Sequence, residues 1–267
     1  MNSNFLEDNW YDVVCKASSG LGVKPEALIH DDLCEEKPPS EDVLSKIAQI
    51  LNLDPASLIA LSKCPAPPAV SPPDNLVVFT SCWHTMLVNS YLLRLDDGKA
   101  VLFDTGTDAS AIKNFLKDNK LSLEHIFITH NHRDHIACLK DIAHLVDDQN
   151  IWSSENEYLE GTSSFKPGKT WQLGDLSIES RLTNGHSIGG TTYVLNHYST
   201  LPSLAIVGDA IFAWSMGGGK VDYHSALKSN LKEIITLPED CIICPGHGAL
   251  STVGMERAHN PFLIPHI

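Results

Sequence analysis

The stretch "HIFITHNHRDHIACL" (125–139) constrains this chain more than any other. A short apolar run, "IFIT", reads as a buried strand, and it runs straight into His130, His132, Asp134 and His135. "RDHIACLKDIAHLV" then places Ile136, Leu139, Ile142, Ala143 and Val146 at helical spacing. Three imidazoles and a carboxylate within six positions therefore sit in a strand-to-helix turn, a common place for a site. Two nitrogens at i and i+2 can clasp one cation. Asp134 and His135, on the first helical turn, can reach a second. Imidazole with carboxylate suits zinc, iron or manganese.

Similar junctions recur downstream. "TNGHSIGGTTYVL" sets His186 in a glycine-flanked turn before a strand. "SLAIVGDAIF" ends an apolar strand at Gly208-Asp209, and "CIICPGHG" ends another with His247 between two glycines. Each puts one metal-binding side chain at a strand edge, where small neighbours leave room for an ion.

Around these motifs, short strands alternate with helices from residue 76 to 267, the pattern of an α/β or α+β domain. "NLVVFT", "MLVNSYLLRL", "KAVLFDTG", "LSIESRL" and "TTYVLN" read as strands. "DASAIKNFLKDNK" and "YHSALKSNLKEIITL" read as helices. The preceding "CPAPPAVSPPDN" (64–75) holds five prolines and reads as a semi-rigid linker. Residues 1–63 read as four short helices. One begins around Trp10, and another lies in "KPEALIHDDL". A third is capped by Ser40, with Val43, Leu44, Ile47, Ile50 and Leu51 on one face, and a fourth is capped by Asp54 with Pro55 at its first position.

Charge narrows the function classes. The chain of 267 residues carries 33 acidic against 19 basic side chains, a net charge of −14, with no run of Lys and Arg. That balance repels phosphate backbones and anionic membranes, so neither nucleic acid nor membrane is an expected partner. The start has no basic segment followed by an apolar one, and no apolar run approaches the ~20 residues that span a bilayer. Seven irregularly spaced cysteines fit a reduced, cytoplasmic protein; Cys241 and Cys244 read as buried strand residues rather than a redox or zinc pair.

His-x-His-x-Asp-His, a lone His, Gly-Asp, then Pro-Gly-His-Gly, in that order, resembles the metal signature of the metallo-β-lactamase superfamily. The resemblance covers about residues 76–267. "VLFDTG" (101–106) and "LSTVGMERAHNPF" (250–262) are most similar to its glyoxalase-II-like branch. It implies an α+β fold, a four-layer αββα sandwich, here preceded by a small all-α domain. It implies two divalent metal ions, zinc first, with iron or manganese as alternatives. His130, His132 and His186 bind the first; Asp134, His135 and His247 bind the second; Asp209 bridges. Asp134 and Asp209 are the catalytic carboxylates, and Asp104 orients a ligand imidazole from behind. The implied activity is metal-dependent hydrolysis of a small-molecule thioester, ester or lactone by a metal-bound hydroxide. Trp83 and His84, at a hairpin turn, and Lys220 and Tyr223, after three glycines, are candidate substrate contacts.

The chain departs from the family pattern at "IACL", where a glycine pair is usual, and at "NGH", where "PGH" is usual. It also ends about twenty residues after His247, without the helical extension that supplies glutathione contacts in glyoxalase II. Two rival readings are a single-iron persulfide dioxygenase, whose ligands overlap, and a metal-binding regulatory protein. The latter draws on "KIAQILNLDPASLIAL", which resembles the last helices of a Cro/repressor helix-turn-helix domain. Residues 1–63 hold eleven acids and five lysines, so docking or homodimer formation is the expected use of this segment rather than DNA binding.

Overall fold

In a computed structural model, residues 9–24, 28, 38–63, 67, 68, 70–197 and 203–267 are described. The helix expected in "KPEALIHDDL" falls, apart from Lys24 and Leu28, outside them. In chain order the elements are α1 (Trp10–Leu21), α2 (Glu41–Ile50), α3 (Pro55–Lys63), β1 (Leu76–Trp83), β2 (Met86–Arg94), β3 (Lys99–Phe103), α4 (Ala109–Asp118), β4 (Ser122–Phe127), α5 (Arg133–Ile136) and α6 (Leu139–Ile142). There follow β5 (Ile151–Ser154), β6 (Ser163–Phe165), β7 (Thr170–Leu173), β8 (Leu176–Leu182), β9 (Thr191–His197), β10 (Leu204–Gly208), β11 (Ile211–Phe212), β12 (Ser215–Met216), α7 (Tyr223–Glu233), β13 (Ile242–Pro245), β14 (Ser251–Thr252) and α8 (Val253–His259).

Two six-stranded sheets form the centre. The first runs β1-β2-β3-β4-β5-β6 and the second β14-β13-β10-β9-β8-β7. Strand alternation sorts side chains between layers. In β2, Tyr91 and Leu93 face the second sheet and join Phe103, Phe127, Trp171, Tyr193 and Ile206 in the inter-sheet core. Leu92 faces the other way, into a layer with Ile112 and Leu116 of α4 and Leu139 and Ile142 of α6. On the far side, Val194, Ala205, Val207 and Ile243 pack beneath α7. The result is an α+β four-layer αββα sandwich.

The N-terminal helices do not pack only on one another. Val13, Val14 and Ala17 of α1, Leu44 and Ile47 of α2, and Leu58 and Leu61 of α3 belong to the same buried cluster as Tyr223, Ala226 and Leu227 of α7 and Phe262. Gly20 lets α1 approach closely: a Cβ there would lie 2.3 Å from the Tyr223 ring. The Asp54 N–H donates to the Pro261 carbonyl at 2.8 Å. Asp54 caps α3 as expected, accepting from the Ser57 N–H. Ser40 occupies the cap position of α2 without a side-chain hydrogen bond.

One expected element is broken. The helix anticipated over 133–146 splits into α5, α6 and a 3₁₀ turn at Ala143–Leu145. The His135 carbonyl, which an unbroken helix would pair with residue 139, instead accepts the Thr105 and Gly106 N–H groups at 2.8 and 3.3 Å, and the Cys138 N–H donates to Gly106 O. The loop after β3 thus competes for the helix backbone. This break falls within "IACL", and Cys138 there is buried. Cys241 and Cys244 are free and buried, as read from the sequence. Burial drives the Cys241 thiol up to about 12, so it is inert at neutral pH. Among the described residues no helix is long and apolar enough to cross a membrane.

Candidate metal centre

The seven motif residues converge at one edge of the sandwich. His130, His132, His186 and Asp209 form one group of donors, and Asp134, His135 and His247 another, with the atoms of each within 4.8 Å of one another. Each arrives where a strand gives way to a loop: beyond β4 for the 130–135 turn, before β9 for His186, and after β10 and β13 for Asp209 and His247. All are buried except His132 and His247, which are half-buried.

The hydrogen bonds behind the imidazoles fix which nitrogen faces inward. A carbonyl or carboxylate oxygen only accepts, so the Nδ1–H of His186 donates to Gly218 O (2.9 Å), that of His247 to Leu87 O (2.5 Å) and that of His135 to Asp104 Oδ2 (2.7 Å). Thr129 Oγ1 donates to Asp104 Oδ2 (2.8 Å) and accepts from His130 Nδ1 (3.0 Å). Four Nε2 nitrogens are thereby turned to the centre, the arrangement that orients ligand imidazoles. His132 Nδ1 meets two of them, 2.9 Å from His130 Nε2 and 3.1 Å from His186 Nε2. Asp209 lies among these groups, with Oδ1 3.3 Å from His135 Nε2, and Oδ2 3.3 Å from His186 Nε2 and 3.5 Å from His247 Nε2. His247 Nε2 is 3.2 Å from Asp134 Oδ2.

This donor set fits cations. Lone pairs directed at one another repel unless a positive charge sits between them, and the buried His135 Nε2 and Asp209 Oδ1 have no hydrogen-bond partner. The charge states agree. Burial, reinforced by neighbouring imidazoles, holds His130 well below its ordinary pKa and therefore neutral. Burial opposes charge on Asp209 too, yet His135 and the other histidines outweigh it and keep the carboxylate ionised. His247, despite burial, is raised to about 10 by Asp134 and Asp209, so a proton substitutes there for a stronger cation.

Close approach of the chain shapes the site. At Gly246 a Cβ would lie 2.3 Å from Asp209 Oδ1 and 2.6 Å from the His135 ring, so only glycine fits.

The remaining sequence candidates divide. Asp104 sits behind His135 as expected, in a left-handed conformation (φ 54°), and also accepts the Thr129 N–H. Trp83 and His84 stand at the β1–β2 hairpin, rings 5.0 Å apart, on the segment whose Leu87 carbonyl holds His247. Lys220 is exposed, and its N–H donates to Gly218 O, the carbonyl that also holds His186. Its charge helps depress the pKa of His132, after burial and His186. Tyr223 is not at the mouth. It is buried in the apolar cluster against Gly20 of α1, because it opens α7 on the face turned to the core.

Several supports had no legible motif. Glu157 accepts the Asn131 N–H through Oε1 and the Gly189 N–H through Oε2, tying two ligand loops together. Asn89 donates to Pro245 O and Gly248 O, and Tyr91 donates to Pro245 O, so β2 braces the His247 loop. Phe212 stands edge-on to His247 at 5.7 Å, and Lys16 of α1 lies 4.6 Å over the Phe212 ring. The N-terminal segment therefore reaches the wall of the site.

The sequence profile described as "Metallo-beta-lactamase superfamily" matches residues 85–247. This chain belongs to the metallo-beta-lactamase superfamily. Its members bind divalent metals, and this member carries a His/Asp cluster suited to them. The probable metallo-hydrolase YqgX of Bacillus subtilis is 28% identical over 212 residues, covering 68% of this chain and 97% of the relative. The mitochondrial persulfide dioxygenase ETHE1 of Bos taurus is 30% identical, covering 68% and 72%. The hydroxyacylglutathione hydrolase GloC of Haemophilus influenzae is 24% identical, covering 66% and 92%. Among solved structures, the BLEG-1 B3 metallo-beta-lactamase superposes with a TM-score of 0.59 at 29% identity, over 70% of this chain and 99% of that one. Relatives with different named activities thus match at similar identity, and the glyoxalase-II-like branch is one among them.

Proposed function

We propose that this protein is a metal-dependent hydrolase of thioesters, esters or lactones. His130, His132 and His186 would hold one divalent cation and Asp134, His135 and His247 a second, with Asp209 between them, zinc being favoured by the nitrogen-rich first set. The observation that carries the reading is the set of inward Nε2 nitrogens around one buried carboxylate, each imidazole held from behind by a protein oxygen. Two such cations would lower the pKa of a bound water toward ~7 and would polarise the substrate carbonyl.

The chain's own groups do the rest. Asp209 keeps its carboxylate ionised despite complete burial, so it can face both donor groups. Asp134 and Asp209 together offset the cations' charge. The β1–β2 hairpin, which carries Trp83 and His84, supports His247 through the Leu87 carbonyl, and Lys220 adds positive potential from the His186 side.

Protein purified without chelator is expected to carry about two transition-metal ions per chain and to hydrolyse members of a thioester, ester and lactone panel. His132→Ala should abolish turnover with the circular dichroism spectrum retained. Absence of metal from such a preparation would overturn the reading. A second reading is favoured by the match to a persulfide dioxygenase. Oxygen uptake with a glutathione persulfide, together with one iron per chain and no ester turnover, would establish it instead. A homodimer through the N-terminal segment belongs to the proposal as well. Val43 and Ile50, seven residues apart on α2, are both solvent-exposed.

A further inference from the structure

One stretch of chain, residues 210–223, supports three of the seven candidate ligands. Ala210 and Ile211 directly follow Asp209, and the Ala210 carbonyl accepts the Gly217 N–H at 3.2 Å and the Asn230 side-chain amide of α7 at 2.8 Å. Gly218 O accepts from His186 Nδ1. Phe212 stands 5.7 Å from the His247 ring, with the two planes at 84°. The same stretch is seated on α1. Ala210, Ile211 and Met216 share a buried cluster with Val13, Val14 and Ala17. Lys16 Nζ lies 4.6 Å over the Phe212 ring, and Gly20 meets the Tyr223 ring where the stretch enters α7. α1 itself lies outside residues 85–247, the part of the chain that the family profile matches.

His247 is half-buried and is held from behind by one hydrogen bond, to Leu87 O. One such bond fixes Nδ1 and leaves the rest of the ring able to swing about it. An aromatic ring packed at right angles to the imidazole removes that freedom, and a cation over the Phe212 face holds Phe212 in turn. We propose that α1 is a positioning element of the metal centre. Phe212, and Lys16 through it, are positioning residues for His247, so the seating of α1 and the binding of metal strengthen each other. The inference rests on the proposed ligand roles of His186, Asp209 and His247, and it holds for either reaction. Coupling of this kind is reciprocal: the factor by which seated α1 raises metal affinity is the factor by which bound metal favours the seated α1.

The test is titration of the whole chain with zinc in competition with a chelating dye, alongside the visible absorption bands of the cobalt-loaded protein. Neither readout depends on turnover. Phe212→Ala is expected to weaken one of the two binding steps about 10-fold, the scale of losing a support behind a ligand, and to shift the cobalt bands. Lys16→Met, which keeps the aliphatic stem and removes the charge, should weaken the same step about threefold, and Lys16→Arg should restore it. The Lys16 variants keep the inference open to refutation if Phe212→Ala does not fold. Hydrogen exchange supplies the reciprocal half: zinc should slow exchange of the α1 amides more in the wild type than in Lys16→Met. Wild-type zinc affinity and cobalt bands in both Phe212→Ala and Lys16→Met overturn the inference and leave the metal reading intact. Equal losses in Lys16→Met and Lys16→Arg overturn the part given to the Lys16 charge. A wild-type protein that binds neither zinc nor cobalt overturns the metal reading and the inference with it.

Discussion

Asp104 shows how one side chain behind a site can set its chemistry. It accepts the Thr129 N–H, the Thr129 hydroxyl and the His135 Nδ1–H, and through the hydroxyl it also fixes His130. Asn in its place keeps the size and tolerates the left-handed backbone, but it replaces one acceptor with a donor. Asp104→Asn should therefore lower metal affinity about 10- to 100-fold, read by competition with a chelating dye; unchanged affinity would remove Asp104 from the site. Glu256 is a second such residue. It is fully buried, accepts the Trp214 N–H and the Asn260 amide, and so pins the β11–β12 hairpin that carries Phe212. Burial raises its carboxyl to about 7, despite those donors. A folded pKa above the unfolded value of ~4.3 means the folded state holds the proton more tightly. Its contribution is complete below the unfolded pKa and is lost as pH rises through 7, about 4 kcal/mol from end to end. Urea denaturation from pH 4 to pH 8 should show wild type losing that much relative to Glu256→Gln. Parallel curves for the two proteins would show that Glu256 does not titrate in this range.

At the level of elements, legibility followed locality. β4, β10 and β13 end within three residues of His130, Asp209 and His247 respectively, so strand and candidate site are readable together. The hairpin Ile211–Phe212/Ser215–Met216 has two-residue strands, too short for any period to register. The break between α5 and α6 was illegible for a different reason. The helical spacing is present, but the competitor for the His135 carbonyl is the 105–106 backbone, thirty residues away. Glu157 likewise looks like a surface acid until the 131 and 189 loops are brought to it. Tyr223 shows the opposite error. Its place after a glycine-rich loop suggested the mouth, whereas α1, from the far end of the chain, covers it. The candidate metal ligands are spelled out locally; what braces and walls them is tertiary.

Across the whole molecule, the helices before the proline-rich stretch and the sandwich after it share one apolar cluster. α1 is fixed at its start by a reciprocal capping box between Asn9 and Asp12 and along its length by Trp10, Val13, Val14 and Ala17, all buried. Val13 and Val14 each contribute about 1.5–3 kcal/mol on burial, and part of that surface is supplied by α7. Exposing either partner alone would forfeit it, so the two parts should unfold together. Calorimetry is expected to give a single transition with equal calorimetric and van't Hoff enthalpies. Gly20→Val, which drives a side chain into the Tyr223 ring, should cost about 1–3 kcal/mol and lower the Tm of that same transition by on the order of 5 °C. Two resolved transitions, with Gly20→Val shifting only one, would mean that the N-terminal helices are an independent domain. A shared transition has a consequence for the site. Lys16 packs over Phe212, which packs on His247, so loosening α1 breaks a contact between residues nearly two hundred positions apart and removes a wall of the candidate metal centre.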